Sequence, residues 1–387
     1  MKNLQIYVHI PFCVKKCNYC DFLSFSCDER TQLEYADALI REIEYYAPQY
    51  QDYMVNTIYI GGGTPSWLNE DKLVEILEAI YRNYMVFADA EVSMECNPGT
   101  VTPAKLEKYR KAGINRLSIG LQSADNEELE LLGRVHTYEQ FLKTYEWARN
   151  AGFTDISVDL ISGLPYQTTE KFLKTLQKVV RLKPNHISAY SLIIEKGTPF
   201  YETYRWDMVM QEAGKPTEAL PSENEVYRMC KVTQDYLKKA GYVQYEISNF
   251  AQPGYECLHN SGYWTRENYL GLGLGAASLI ENVRYTNTTE LYEYLDNTKD
   301  IQKKCFAQEV SRKAQMEEFM FLGLRMTKGI ERRRFEKEFG ISIEGIYAEV
   351  LEKLKKNGLI EAKEGRIALT ERGADISNYV LAQFLLD

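Results

Sequence analysis

The feature that most constrains the fold is an alternation, through the first 195 or so residues, of short β-branched or aromatic runs with longer helical patterns. Strand-like runs occur at 4–10 (LQIYVHI), 57–61 (TIYIG), 91–96 (EVSMEC), 116–122 (RLSIGLQ), 156–163 (ISVDLISG) and 186–192 (HISAYSL). Helix-patterned segments at 31–46, 69–82, 103–112, 137–151 and 168–181 separate them. Connections of this length cross over between parallel strands, so the alternation predicts an α/β fold with one parallel sheet. Six such units make an incomplete (β/α)6 TIM-like barrel, open on one side. In barrels of this kind the chemistry sits on the loops after the C-terminal ends of the strands.

After about residue 195 the rhythm breaks: a helix near 222–240 precedes a polar and aromatic stretch and the glycine-rich LGLGLGAASLI at 270–280. From about 308, three helical patterns lead into GLIEAKEGRIALTERG, which reads as two short strands and a turn. That order predicts a small C-terminal winged-helix-like domain. The expected division is therefore 1–300, a barrel whose extension covers about 195–300, and 301–387. Winged helices often bind DNA, but basic and acidic residues are equal in number after residue 308, and the net charge is -9. Both argue against nucleic acid as a partner. No apolar run approaches the roughly 18–20 residues of a membrane span. The N-terminal MKNLQIYVHIPFC lacks a cleavable signal, so the expected location is the cytoplasm. Eight cysteines there read as metal ligands and buried thiols, not as a disulfide framework.

Three of those cysteines fall within HIPFCVKKCNYCDF, residues 9–22, directly after the first strand. Cys13, Cys17 and Cys20 form a C-x3-C-x2-C pattern, and the next cysteine is Cys27. Thiolates select zinc or iron–sulfur clusters. A structural zinc site takes four ligands, and His9 could complete it, although His9 lies within the preceding strand. The spacing would also place the thiols on one helical face, but Pro11 and its neighbours favour a loop. A cubane cluster usually takes four cysteines. Three leave one iron open to a small-molecule ligand.

This cysteine loop, followed by GGGTP at 61–65, resembles the radical S-adenosylmethionine (SAM) superfamily. YVHIPFC, GGGTPS, ECNPGT, GLQS, LLGRVHT, VDLISGLP and HNSGYW, in that order, resemble one branch of it over nearly the whole chain. The branch holds the oxygen-independent coproporphyrinogen III oxidases and their HemW relatives. The resemblance implies a [4Fe-4S] cluster on Cys13, Cys17 and Cys20, with the SAM amino and carboxylate groups on the fourth iron. The reduced cluster of such proteins cleaves the sulfonium to a 5′-deoxyadenosyl radical.

On that reading Gly62, Gly63 and Thr64 present main-chain groups to the SAM amino group. Glu95 accepts from a ribose hydroxyl, and Gln122 does the same with neutral hydrogen bonds. Arg134 pairs with the methionine carboxylate through its planar fork. Asp159, at the end of the fifth strand, binds ribose or adenine-side groups. Tyr7 and Tyr19, by the same resemblance, lie against SAM. Each polar residue alone would read as a solvated surface group; together at the strand ends of one barrel they make a site.

Two departures separate the chain from the oxidases of the branch. Phe22 stands where those enzymes carry a further cysteine, and only three residues precede the first strand. HNSGYW, 259–264, looks like the H-N-x-x-Y-W signature of HemW proteins, haem chaperones that hand haem to respiratory haemoproteins. His259 is then a candidate axial ligand, with Tyr263 and Trp264 as flat faces for the macrocycle and Cys257 as an alternative ligand. The same segment also reads as a turn whose aromatics close the barrel's open side. His136 and His186 read as structural. The expected function is a haem chaperone that carries the cluster and SAM, draws electrons from a donor, and touches the membrane only while delivering haem. Catalytic side chains and coproporphyrinogen dehydrogenase activity are not expected. The alternative is radical-mediated oxidative decarboxylation of coproporphyrinogen III.

Overall fold

A computed structural model describes residues 1–296 and 306–386; the division expected at 300/301 lies outside them. Six parallel strands follow one another in the order of the chain: β1 (Lys2–Ile10), β2 (Tyr53–Gly62), β3 (Val86–Cys96), β4 (Arg116–Gln122), β5 (Asp155–Ser162) and β6 (His186–Ser191). The crossovers are α1 (Glu29–Tyr46), α2 (Glu70–Asn83), α3 (Pro103–Lys111), the pair α4 (Asn126–Leu131) and α5 (Tyr138–Asn150), and α6 (Thr169–Arg181). Helix starts follow side chains that accept from the first free backbone N–H groups: Asp28, Asn69, Thr102, Thr137 and Thr168. Thr137 and Gln140 complete a capping box.

Side-chain alternation divides each strand between two environments. Leu4, Ile6, Val8 and Ile10 of β1 are fully buried beneath the helices, as are Leu117, Ile119 and Leu121 of β4. Each such side chain contributes about 1.5–3 kcal/mol by leaving water. The core is this layer between strands and helices. The opposite faces carry Gln5, Tyr7 and His9, then Thr57 and Tyr59, Glu91, Ser93 and Glu95, Ser118, Ser157 and Asp159. A barrel interior lined this way is built to hold polar groups, not to fill itself with hydrocarbon.

The barrel does not close. β1 pairs with β2 and with β9 (Tyr269–Leu272), while β6 pairs with β5 and with β8 (Asn249–Ala251). The stretch after β6 supplies both flanks, an arrangement its composition did not disclose. α7 (Pro199–Glu212) and α8 (Glu223–Lys239) precede β7 (Val243–Gln244) and β8 on one edge. The short helix α9 (Leu258–Trp264) then leads to β9, β10 (Ala277–Ile280), β11 (Val283–Thr286), α10 (Leu291–Asp296) and β12 (Phe306–Glu309) on the other. The glycine-rich run serves this second edge. A Cβ on Gly271 would stand 2.1 Å from the Ala277 carbonyl oxygen, so only glycine lets β9 and β10 approach.

A second hydrophobic core, including Phe319, Phe335, Tyr347, Ile367 and Phe384, organises the C-terminal residues. Their order is α11 (Arg312–Gly323), β13 (Ile330–Glu331), α12 (Arg332–Phe339), α13 (Ile343–Lys356), β14 (Ile360–Lys363), β15 (Arg366–Leu369), α14 (Glu371–Asp375) and α15 (Ser377–Ala382). The predicted three helices and hairpin are present, with β13 completing the small antiparallel sheet as in a winged helix. Glu364 and Gly365 both have positive φ, as a two-residue hairpin turn requires.

Candidate functional site

A cavity of about 430 Å³ opens at the C-terminal ends of the strands. Cys13, Cys17 and Cys20 line it, on a loop tied down at several points. Cys13 N–H donates to Phe25 O and Phe25 N–H to Pro11 O, both at 2.9 Å. Asn18 donates from its backbone and side chain to Leu132 O and Leu131 O, at 3.0 and 2.9 Å. Thr64 Oγ1 stands 3.5 Å from Cys13 Sγ, and Arg134 Nη1 3.6 Å from Cys17 Sγ. Burial pushes the Cys13 and Cys20 thiols up from their ordinary value, so holding them as thiolates takes added positive charge.

The donor set fits a cluster better than a lone ion. The three thiols share one cavity wall, yet among the described residues no three His, Cys, Asp or Glu side chains converge on a single-ion position. His9 is not a spare fourth ligand. Its Nδ1 is 2.9 Å from Tyr7 Oη and its Nε2 2.9 Å from Leu23 O.

GGGTP packs directly beneath the cysteine loop. Gly62 has φ +115°, and a Cβ there would lie 2.5 Å from the His9 ring. On Gly63 it would lie 2.8 Å from Phe12 O and 3.0 Å from Cys13 Sγ. The Gly62, Gly63 and Thr64 N–H groups are all used within the protein, on Glu95 Oε2, Ile10 O and Phe12 O. Glu95 also accepts from Tyr59 Oη at 3.1 Å.

Gln122 reaches the cavity from a register shift between β4 and β5 and has φ +71°, a left-handed backbone unusual for a residue with a side chain. Arg134 Nη2 donates to Asn97 Oδ1 at 2.6 Å and to Gly120 O at 2.7 Å; its Nε is buried without a protein partner. Tyr19 lines the cavity beside it. One placement corrects the sequence reading. Asp159 lies within β5, not at its end, and accepts from Ser118 Oγ at 2.8 Å and Ser157 Oγ at 3.3 Å. Tyr7 stacks on Tyr59 at 6.4 Å, one layer behind the wall that Tyr59 forms.

Sequence reasoning passed over Asn97. It knots three loops, donating to Thr64 Oγ1 at 2.7 Å, accepting from Arg134, and taking its own backbone N–H to Ser66 Oγ at 3.1 Å. It also passed over the hydroxyl row of Ser118, Ser157 and Ser188. The signal was present: serines at inward positions of strands whose other face is mainly aliphatic.

The largest correction concerns HNSGYW. It forms α9 at the opposite end of the barrel from the cysteines, against the row Gln5, Thr57 and Glu91, which pair across β1, β2 and β3. Glu91 accepts from the Leu258 and His259 N–H groups at 2.8 and 3.1 Å, and Gln5 Nε2 donates to His259 O at 3.1 Å. His259 is fully buried and stacks on Tyr59 at 5.1 Å. Its Nδ1 is 2.7 Å from Thr57 Oγ1 and its Nε2 2.9 Å from Tyr263 Oη. The helix is a floor: Cys257 and Asn260 form the cavity's deep end. His186 is likewise satisfied, by Ser157 and Tyr245 at 2.8 Å each.

Two carboxylates, Glu95 and Asp159, face the cavity together with the Arg116 and Arg134 guanidiniums. Burial, and then Asp159, push Glu95 up to about 7; the Gly62 N–H and Tyr59 hydroxyl oppose the shift. Ionised Glu95 attracts a net-positive ligand such as SAM, and protonated Glu95 does not. SAM affinity of the protein with its cluster should therefore hold above about pH 7 and fall toward tenfold per unit below it. Glu95→Gln should bind SAM weakly without that slope. Equilibrium dialysis across pH checks this; an unchanged slope in the variant would assign the titration to another group.

Residues 7–179 match the family model of the radical SAM superfamily, and residues 310–376 that of the HemN C-terminal domain. The chain is 37% identical over 384 residues to heme chaperone HemW of Bacillus subtilis (strain 168), covering 98% of each. It is 32% identical over 397 residues to heme chaperone HemW of Escherichia coli (strain K12), covering 99% of this chain and 98% of that one. Among solved structures, coproporphyrinogen III oxidase (HemN) from Escherichia coli, a radical SAM enzyme, superposes with TM-score 0.85 at 26% identity, covering 99% and 90%.

Proposed function

The chain belongs to the HemW family of radical SAM proteins, and from that premise we propose that it is a haem chaperone carrying a SAM-binding [4Fe-4S] cluster. The observation that carries this is similarity to heme chaperones along essentially the full length of both chains. Cys13, Cys17 and Cys20 would hold the cluster. When bound, it supplies low-potential electrons to SAM.

The residues around it have separable tasks. Thr64 and Arg134 set the sulfurs of Cys13 and Cys17 by donating to them. Asn97 fixes Arg134, leaving the Nε–H of Arg134 without a protein partner. A methionine carboxylate is an acceptor suited to that group. Because the N–H groups of Gly62, Gly63 and Thr64 are spent internally, the SAM amino group would find acceptors there only among carbonyl and hydroxyl oxygens. Glu95 and Gln122 would take the ribose. Asp159, held by serines, bounds the adenine side. Tyr19 would cover SAM from the cysteine loop, and Tyr7 would support it through Tyr59.

The likeness to the oxidase structure favours one second reading, decarboxylation of coproporphyrinogen III. Phe22 weighs against it, because a 70% exposed phenyl ring stands where the oxidases carry a cysteine. The partners proposed are haem, haem-accepting respiratory proteins and an electron donor to the cluster. Among the described residues no helix is long and apolar enough to cross a membrane. We place the protein in the cytoplasm, meeting the membrane only at delivery. Anaerobic protein with cluster, SAM and a low-potential reductant should bind haem and leave coproporphyrinogen III unconsumed. Protoporphyrinogen IX formed over many turnovers would make it an oxidase.

A further inference from the structure

Cys13 and Cys17 each face a hydrogen-bond donor: Thr64 Oγ1 lies 3.5 Å from Cys13 Sγ, and Arg134 Nη1 lies 3.6 Å from Cys17 Sγ. Both donors meet on one side chain. Asn97 touches Thr64 Oγ1 at 2.7 Å through Nδ2 and Arg134 Nη2 at 2.6 Å through Oδ1.

The direction of each bond follows from which groups can donate. Arginine carries no acceptor, so the amide oxygen of Asn97 must face Arg134 and its NH2 must face Thr64. The Thr64 hydroxyl therefore accepts from Asn97, and its single proton is left for the Cys13 sulfur. The amide cannot turn over without setting its own N–H groups against the guanidinium. Its backbone is locked by a ring of the same kind. Asn97 N–H donates to Ser66 Oγ at 3.1 Å, and Thr100 Oγ1 donates to Asn97 O at 2.7 Å. With the Thr100 proton spent there, the 2.6 Å contact between the two hydroxyls is Ser66 donating to Thr100. Ser66 and Thr64 are both buried, so water does not compete for these bonds.

We propose that Asn97 is a positioning residue that sets the cluster's reduction potential: one amide aims a hydroxyl at Cys13 and a guanidinium at Cys17. The proposal rests on the reading of Cys13, Cys17 and Cys20 as cluster ligands. Reduction adds one electron, supplied by the donor assigned above, to a cluster whose sulfurs already carry negative charge. O–H and N–H dipoles pointed at those sulfurs favour the reduced form and raise the potential. This role is separate from any hold on SAM, because it acts on the cluster before SAM binds.

The test is potentiometric titration of the full chain, reconstituted anaerobically and free of SAM, read by electron paramagnetic resonance of the reduced cluster. Thr64→Val exchanges the hydroxyl for a methyl group of similar size and should shift the potential to a more negative value. Thr64→Ser should return it to that of wild type. Asn97→Ala, which frees both donors, should shift it further than Thr64→Val does. In the double variant the shift should fall short of the sum of the two single shifts, because the Thr64 branch is shared. A merely structural Asn97 would alter stability or iron content and leave the potential of the loaded protein in place. Wild type that takes up no iron would overturn the cluster reading itself. Thr64→Val and Asn97→Ala proteins with about four irons per chain and the wild-type potential would overturn this role alone. Additive shifts in the double variant would likewise overturn the link from Asn97 to Thr64.

Discussion

Alanine at Cys13, Cys17 or Cys20 should take bound iron from about four per chain to almost none, whereas Cys27→Ala should retain all of it. The contrast comes from position. The first three thiols line the cavity; Cys27 is instead packed against the hydrophobic core. Burial, and then the neighbouring Asp28, push its thiol up to about 11; burial raises Cys13 and Cys20 as well, so what sets Cys27 apart is its place outside the cavity. The loop itself should survive each substitution, because its backbone is held by Phe25, Leu132 and Phe200 through bonds no cysteine side chain makes. Iron and sulfide analysis of anaerobically reconstituted variants, with circular dichroism as a folding control, checks this. Stable zinc with no iron uptake in wild type would contradict it.

The second large effect is on stability. His259→Ala should destabilise the metal-free protein by about 3 kcal/mol, since it opens a buried void and strands Thr57 Oγ1 and Tyr263 Oη. Tyr263→Phe, which removes only one partner of the ring, should cost about 1 kcal/mol. Burial holds the His259 ring down to about 3, so it stays neutral and its two hydrogen bonds persist throughout the neutral range. Urea unfolding measures both variants. If His259→Ala keeps wild-type stability while losing the haem Soret band, the ring is a free ligand and its buried hydrogen bonds are not those of the folded protein.

The six barrel strands and their crossovers were legible because each strand carries an aliphatic face that only helices can cover, as Leu4, Ile6, Val8 and Ile10 do. The cysteine loop and GGGTP were legible because their residue types are tied to local backbone geometry; Gly62 and Gly63 admit no Cβ. Depth was not legible. Asp159 and His259 sit in strings that read as rim motifs, but a string does not say how far a strand continues or which end of a barrel a returning helix enters. Only the row Gln5, Thr57 and Glu91 reveals that, through three strands far apart in sequence. Nor could composition show that 195–300 would divide between both edges of the open sheet, since the pairing is settled by distant partners such as β1 with β9.

A haem chaperone carries haem and passes it on. The most direct measurement mixes haem-loaded, cluster-containing protein with an excess of an apo-haemoprotein of the respiratory chain and follows the Soret band. Transfer to the acceptor is expected at a rate that rises with acceptor concentration, as direct handover requires. Haem that never leaves, or that leaves at one fixed rate whatever acceptor is present, would contradict it.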